Sequence, residues 1–195
     1  MTTSSRVLER REEMRARLVA AAWALAERDG LAALSLRDLA AELGMRAPSL
    51  YTYVDGKAAI YDAMFAEGYR ELDEAVATVP VDRDDPHGTL TRSVTAFLRF
   101  CQASRARYQL LFTGALPDWQ PSPEAYAASV ASYERMVEGL AELGVHGQDA
   151  LDLWTALTAG LAAQQLANDP DGDRWVRLVP RAVSMFLSDL TEDRS

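Results

Sequence analysis

Apolar residues recur at intervals of three and four positions along most of the chain, which is the period of a helix with one buried face. No segment alternates apolar and polar residues in the way that a half-exposed strand would. Prolines and glycines separate the periodic segments and mark the connections between them. The pattern predicts an all-α protein with nine helices, near residues 6–29, 36–43, 47–53, 57–78, 87–103, 105–112, 122–143, 147–168 and 173–190.

The second and third predicted helices are short and are separated by a turn. Gly44 allows the positive φ that a tight turn between two crossing helices requires. Pro48 lies in the first turn of the next helix, where its missing N–H costs nothing. Leu50 and Val54 are four residues apart on that helix and are expected to face the core together. The spacing predicts a helix-turn-helix over residues 35–54.

The outward surface of the third helix carries two tyrosines and little charge, which is unusual for a face that meets only water. Short side chains permit close approach to base edges, and tyrosine hydroxyls can donate to phosphates. Lys57 begins the fourth helix, whose free N–H groups favour an anion. We therefore expect a DNA-reading surface here, with Lys57 as a phosphate contact. The alternative is that Tyr51 and Tyr53 pack between helices and Lys57 is an ordinary surface cation.

The segment SLRDLAAELGMRAPSLYTYVDGKAAIYDAM resembles the helix-turn-helix and the start of the connecting helix of the TetR family of repressors. The resemblance covers about residues 12–72. It rests on Ala40, Gly44, Pro48, Leu50, Tyr51 and Lys57 at the family spacing, preceded by Leu18, Ala21, Ala22, Leu25 and Gly30. Tyr53 and Val54 differ from the family, which often has histidine and phenylalanine at these positions.

The resemblance also implies which residues contact DNA. The family's contacts correspond to Arg37, Ser49, Tyr51, Tyr53 and Lys57, with Arg46 and Ala47 opening the reading helix. Together with the neighbouring positions, the expected DNA-binding set is Arg37, Arg46, Ala47, Pro48, Ser49, Leu50, Tyr51, Thr52, Tyr53 and Lys57.

Charge is distributed unevenly along the chain. The formal net charge is −9, but residues 1–57 carry nine basic and eight acidic side chains, so the remainder carries −10. A DNA-facing end joined to a body that does not face DNA would show such a division, whereas the total charge alone argues against nucleic acid. We expect a DNA-binding domain over residues 12–72 and a C-terminal ligand-binding and dimerisation domain over residues 73–195.

The predicted helices between residues 87 and 143 are rich in aromatic side chains. Most such residues form core, but a pocket among bundle helices would use the same types and would suit an apolar or aromatic small molecule. The expected lining residues are Phe97, Phe100, Cys101, Tyr108, Phe112, Trp119, Tyr126, Tyr133, Met136 and Trp154. Residues 113–123 contain three prolines and a tryptophan, so they are either a lid over this pocket or a rigid connector.

The eighth predicted helix contains no charged residue between Asp152 and Asp169, so it is expected to be buried on more than one side. The last helix is also apolar over more than one stripe. Two such helices from each of two subunits would form a four-helix interface through Trp154, Leu157, Leu161, Gln164, Trp175, Val179, Val183 and Phe186. The TetR resemblance implies this homodimer, and a twofold-symmetric protein binds a near-palindromic operator in double-stranded DNA.

The sequence lacks the signatures of other functional classes. A single cysteine and two histidines provide neither a disulfide nor a zinc-type cluster, and Pro170 interrupts the calcium-loop-like run at residues 169–173. The chain shows no catalytic triad or glycine-rich phosphate loop. We therefore expect no enzyme activity, no metal and no cofactor. The charged N-terminus and the absence of a long apolar run predict a cytoplasmic protein that does not enter the membrane.

These observations favour a DNA-binding transcriptional regulator, a repressor that a small apolar or aromatic ligand releases from DNA. Two alternatives stay open. The C-terminal bundle would serve only for dimerisation in a constitutive DNA-binding regulator without an effector. A helical enzyme or scaffold that merely shares the fold is the third reading, and the missing catalytic constellation disfavours it.

Overall fold

The structure of the protein, a computed structural model, describes the backbone of residues 3–192 and the side chains of residues 9–190. Within these limits it contains nine α-helices and no strand, which confirms the predicted fold class. The helices are α1 (Thr3–Asp29), α2 (Leu36–Glu42), α3 (Ala47–Leu50), α4 (Lys57–Ala77), α5 (Pro86–Ala103), α6 (Arg105–Phe112), α7 (Pro123–Glu142), α8 (Gln148–Asn168) and α9 (Val179–Glu192). Two 3-10 turns, Leu31–Ala33 and Val176–Leu178, precede α2 and α9.

Two helices are shorter than predicted by three residues or more. After α3 the chain continues in tight turns, because the amides of Thr52 and Tyr53 bond to carbonyls three residues back rather than four. The last helix begins at Val179 rather than at residue 173. Pro180 then occupies the first turn, where a proline is tolerated, whereas a helix starting at 173 would place it in the interior.

One compact unit contains the residues up to Tyr69 together with Ala106–Ser129. Its core is formed by the predicted apolar stripe of α1 and by side chains from α2, α3 and α4, namely Leu18, Ala22, Leu25, Leu39, Ala40, Leu50, Ile60 and Met64. The indole of Trp23 on α1 donates to Glu67 on α4 at 2.9 Å, and the guanidinium of Arg107 on α6 lies 5.1 Å from the Trp23 ring centroid. Helices α1, α4 and α6 are thus held together around Trp23.

The second compact unit contains Arg70–Arg105 and the residues from Val130 onward. Its core includes Leu90, Val94, Leu98, Trp154, Val179 and Val183. Cys101 is buried in this core, and burial raises the pKa of its thiol from 9.0 to about 12. At neutral pH Cys101 is therefore a protonated, unreactive core residue.

A buried glutamine organises the loop between α8 and α9. Gln165 is fully buried, and its side-chain oxygen accepts from the amides of Trp175 and Val176 at 2.8 and 3.2 Å. Its amide nitrogen donates to the carbonyls of Asp169 and Gly172. One side chain thereby supplies hydrogen-bond partners for the loop that resembles a calcium site in sequence. Among the described residues, no three His, Cys, Asp or Glu side chains group as metal ligands.

Candidate nucleic-acid interface

The helix-turn-helix forms because short-range signals in the sequence agree with one another. Ser35 caps α2, since its hydroxyl oxygen accepts from the amide of Asp38 at 3.1 Å. Gly44 has a φ of +66°, and the chain reverses there with the Met45 amide bonded to the Ala40 carbonyl at 2.9 Å. Ala40 is buried. Its small side chain lets α3 approach α2 closely at the turn.

Leu50 anchors α3 to the core. Its side chain is fully buried, so its inclusion among the expected DNA contacts is wrong: it fixes the helix that carries them. Val54 is half-buried rather than a full core residue. With Leu50 turned inward, the neighbouring positions on α3 necessarily face outward.

The outward residues of α3 and the following turns form a continuous surface that we call the reading face: Arg46, Ala47, Pro48, Ser49, Tyr51, Thr52 and Tyr53. Tyr51 is 57% exposed, while Ala47 and Tyr53 are half-buried. The Thr52 hydroxyl donates to the Ser49 carbonyl at 2.7 Å, so its proton is already used within the turn. The Ser49 and Tyr51 side chains, both exposed, therefore offer the hydroxyl groups best placed for an outside partner. Arg37 on α2 is also exposed.

Lys57 has a structural partner as well as its predicted place at the start of α4. Its ammonium group donates to the carbonyl of Ala32 at 3.1 Å and lies 5.4 Å from the centroid of the Tyr61 ring. The Tyr61 hydroxyl, in turn, donates to the carbonyl of Leu31 at 2.6 Å. We call these two side chains and their two carbonyl partners the latch. The latch fastens α4 to the 3-10 turn that leads into α2, and sequence reasoning did not foresee it.

Not every basic side chain near the helix-turn-helix is available to a phosphate. The guanidinium of Arg28 lies 2.8 Å from the carboxylate of Asp29, and this pair raises the pKa of Arg28 and lowers that of Asp29. Both groups lie on the surface, so the pair contributes little to stability. It does neutralise one of the positive charges in residues 1–57.

The predicted pocket residues are divided between the two units. Phe97, Phe100, Cys101, Tyr133, Met136 and Trp154 belong to the second unit, where Phe100, Cys101 and Trp154 are buried core. Tyr108, Phe112, Trp119 and Tyr126 belong to the first, where Tyr126 is exposed. The prediction that all ten share one pocket therefore stays a prediction.

Within the first unit, aromatic rings form a continuous series along α4. The ring centroids of Tyr61 and Trp119 are 5.7 Å apart, those of Trp119 and Phe65 are 5.8 Å apart, and those of Phe65 and Tyr69 are 4.9 Å apart, all edge to face. Phe112 on α6 continues the series, 6.0 Å from Tyr69. Trp119 is half-buried in this series, so the loop that carries it packs on α4.

Half of the predicted dimer interface is wrong. Trp154, Val179, Val183 and Phe186 are buried within the second unit, and the rings of Trp154 and Phe186 are 5.0 Å apart. Hydrophobic periodicity could not distinguish the side of α8 and α9 that faces their own core from the side that faces outward. Leu157, Leu161 and Trp175 are half-buried, and Gln164 is exposed. The exposed large apolar side chains in this region are Leu153 on α8, Leu178 on the 3-10 turn before α9, and Met185 on α9.

Comparison with known proteins gives a family for the N-terminal segment. Residues 18–64 match the family model described as bacterial regulatory proteins of the tetR family. No curated protein matches the chain. No helix in the described part of the chain is both long enough and apolar enough to cross a membrane.

Solved structures resemble nearly the whole chain. SCO4313, described as a regulatory protein, has a TM-score of 0.74 at 20% identity, over 92% of this chain and 98% of its own. The TetR-family transcriptional regulator PfmR from Thermus thermophilus has a TM-score of 0.64 at 22% identity, over 88% and 97%. The multidrug binding protein EbrR, complexed with imidazole, has a TM-score of 0.66 at 20% identity, over 89% of each.

At these identities, the structural matches establish a common fold, and the family assignment comes from the matched segment. That segment contains α2, α3 and the latch, which are the elements that build and fix the reading face. Residues 18–64 therefore form a TetR-family N-terminal domain, in a chain that has the all-α fold of TetR-family transcriptional regulators.

Proposed function

We propose that this protein is a transcriptional repressor that binds a near-palindromic operator as a homodimer and is released from DNA by a small apolar or aromatic ligand. The observation that carries the proposal is the reading face itself. A fully buried Leu50 holds a surface with an exposed tyrosine and short side chains outward, which suits a helix that enters the major groove.

The residues of the reading face have different roles in this proposal. Ala47, Pro48 and Ser49 are short enough to let the backbone approach base edges. Tyr51 and Tyr53 donate their hydroxyl protons to phosphates, and Arg37 and Arg46 supply positive charge at the rim. Lys57 keeps its bond to the Ala32 carbonyl and directs its remaining N–H donors to a phosphate.

The dimer in this proposal uses the outward sides of α8 and α9. Leu153 is 52% exposed and Met185 is 65% exposed, and the small residues Ala156 and Gly160 on α8 are also exposed. Exposed apolar side chains of this size are typical of a protein interface. The proposed interface therefore combines Leu157, Leu161 and Gln164 from the sequence prediction with Leu153, Leu178 and Met185.

The ligand part of the proposal rests on the aromatic side chains of the body and on the fold. The fold matches that of EbrR, a protein named for binding several drugs and solved with imidazole. An aromatic ligand is the chemistry that edge-to-face aromatic side chains would recognise.

Removing the Tyr51 hydroxyl tests the DNA-binding role of the reading face. We expect Tyr51→Phe to bind a duplex from the protein's own upstream region about three- to tenfold more weakly, since one phosphate hydrogen bond is lost. Fluorescence anisotropy at several salt concentrations measures this. Tyr126→Phe is the matched control, because Tyr126 is exposed to nearly the same extent, 55% against 57%, and lies outside the helix-turn-helix. Equal affinities for Tyr51→Phe and wild type would contradict the assignment.

The salt dependence distinguishes the two roles of Lys57. If Lys57 contacts a phosphate, the slope of log K against log salt should fall by about 0.9 in Lys57→Met. A lower affinity with an unchanged slope would show that Lys57 acts only in the latch.

Charged substitutions on the exposed apolar surface test the dimer. We expect Leu153→Lys and Met185→Lys to convert the protein largely to monomer at micromolar concentration, because a lysine would be buried in the interface without a partner. Sedimentation velocity measures the change. Val81→Lys is the control, since Val81 is also an exposed apolar residue, at 49%, and lies outside α8 and α9. A stable dimer in both interface variants would exclude this surface.

A thermal-shift screen with planar aromatic compounds tests the effector. We expect at least one compound to raise the melting temperature and, at the same concentration, to weaken DNA binding. If no compound in the screen does either while DNA binding is intact, the constitutive regulator is the better account.

A further inference from the structure

We propose that residues 113–122, the segment between α6 and α7 that we call the strap, position the helix-turn-helix for DNA binding by holding Asp62 and Tyr61 on α4. This inference rests on the proposed function, because it concerns how well the reading face is presented to DNA. The sequence indicates only that this proline-rich loop is a lid or a connector. The proposal gives the loop a specific action on the latch.

Asp62 is the point at which the strap is attached. One carboxylate oxygen of Asp62 accepts two hydrogen bonds from the strap, from the indole N–H of Trp119 at 3.2 Å and from the backbone amide of Ser122 at 3.2 Å. Hydrogen bonds to a charged acceptor are about twice as strong as neutral ones. Removing this single side chain would therefore break both hydrogen bonds at once.

The backbone of the strap is restricted, so the attachment at Asp62 constrains the whole segment. Pro117, Pro121 and Pro123 restrict the backbone on both sides of Trp119. The amide of Trp119 bonds to the carbonyl of Leu116 at 3.1 Å, which closes a turn. At the other end, the hydroxyl of Ser122 accepts from the amide of Ala125 and caps α7. The strap is thus stiff and is tied at each end to a helix.

The strap contacts the latch directly. The Trp119 ring packs edge to face on Tyr61, whose hydroxyl holds the Leu31 carbonyl and whose ring lies beneath the Lys57 ammonium group. Leu31 lies four positions before Ser35, the residue that caps α2. The contacts therefore run from Trp119 through Tyr61 to the 3-10 turn that leads into α2.

The effect on affinity follows from the fraction of molecules that are competent to bind. If the hydrogen bonds to Asp62 are lost, the first turns of α4 keep their core contacts and the latch but sample other positions more often. The apparent Kd rises in inverse proportion to the competent fraction, while the number of phosphate contacts in the complex is unchanged. A strap variant should therefore lose affinity without changing the salt slope. A variant of a phosphate contact would change both.

The experiment compares strap variants of the full-length protein in the DNA-binding assay. We expect Asp62→Ala to weaken binding at least about tenfold and Trp119→Phe, which keeps the ring but loses one N–H donor, about threefold. Both should keep the wild-type salt slope. Asp62→Asn should restore most of the affinity lost in Asp62→Ala, because its amide oxygen can accept the same two hydrogen bonds.

Two control variants separate positioning from general destabilisation. Tyr126→Phe removes a hydroxyl that lies outside the strap, the helix-turn-helix and the proposed dimer interface, and should bind like wild type. Val183→Ala opens a cavity in the core of the second unit and lowers the melting temperature without touching the strap. If Val183→Ala loses as much affinity as Asp62→Ala, the strap has no specific role and the proposal is overturned.

The affinity of Asp62→Ala and its hydrogen exchange also decide whether the strap positions the helix-turn-helix. Affinity of Asp62→Ala within about twofold of wild type overturns the strap and leaves the proposed function intact. If wild type binds no duplex, the proposed function fails, and hydrogen exchange then judges the strap separately. Faster amide exchange of Leu31–Ala33 and of the first turns of α4 in Asp62→Ala supports positioning, and unchanged exchange there overturns it.

Discussion

The hydroxyl of Tyr61, on a ring that is only 4% exposed, donates to the carbonyl of Leu31 at 2.6 Å. A buried hydroxyl without a partner is costly, so this bond favours one position of α4 against the turn that leads into α2. Two further contacts are made around the same ring. Lys57 reaches Ala32 over the same ring, and the Trp119 and Tyr61 rings pack edge to face. The reading face is thus presented by a support that lies largely outside it.

This arrangement relates the two parts of the proposed function. A reading face needs short or exposed side chains, which contribute little to stability, so its geometry has to come from the buried residues behind it. Leu50 fixes the geometry of the reading face from within α3, and the latch fixes it from α4. A change that reaches α4 would therefore alter DNA binding without touching a residue that contacts DNA, which is the physical requirement for a regulated repressor.

Features that nearby residues determine could be predicted from the sequence, whereas features that tertiary packing determines could not. Gly44, Pro48 and Leu50 predicted the helix-turn-helix because turn, helix start and core position follow from spacing alone. The same periodicity placed Val183 in a dimer interface, although a helix apolar on several sides gives no sign of which side its own core will cover. The strap contact of Asp62 was also out of reach, since 57 residues separate it from Trp119 and a single carboxylate has no characteristic pattern.

Selection of binding sites from a pool of random-sequence duplexes by the full-length protein tests the central claim most directly. If the reading face of α3 recognises DNA and the protein acts as a homodimer, the selected duplexes should share a near-palindromic sequence. Its half-sites should be separated by about one helical turn, or by a multiple of it. A folded, dimeric protein that enriches no sequence over the starting pool would contradict the account.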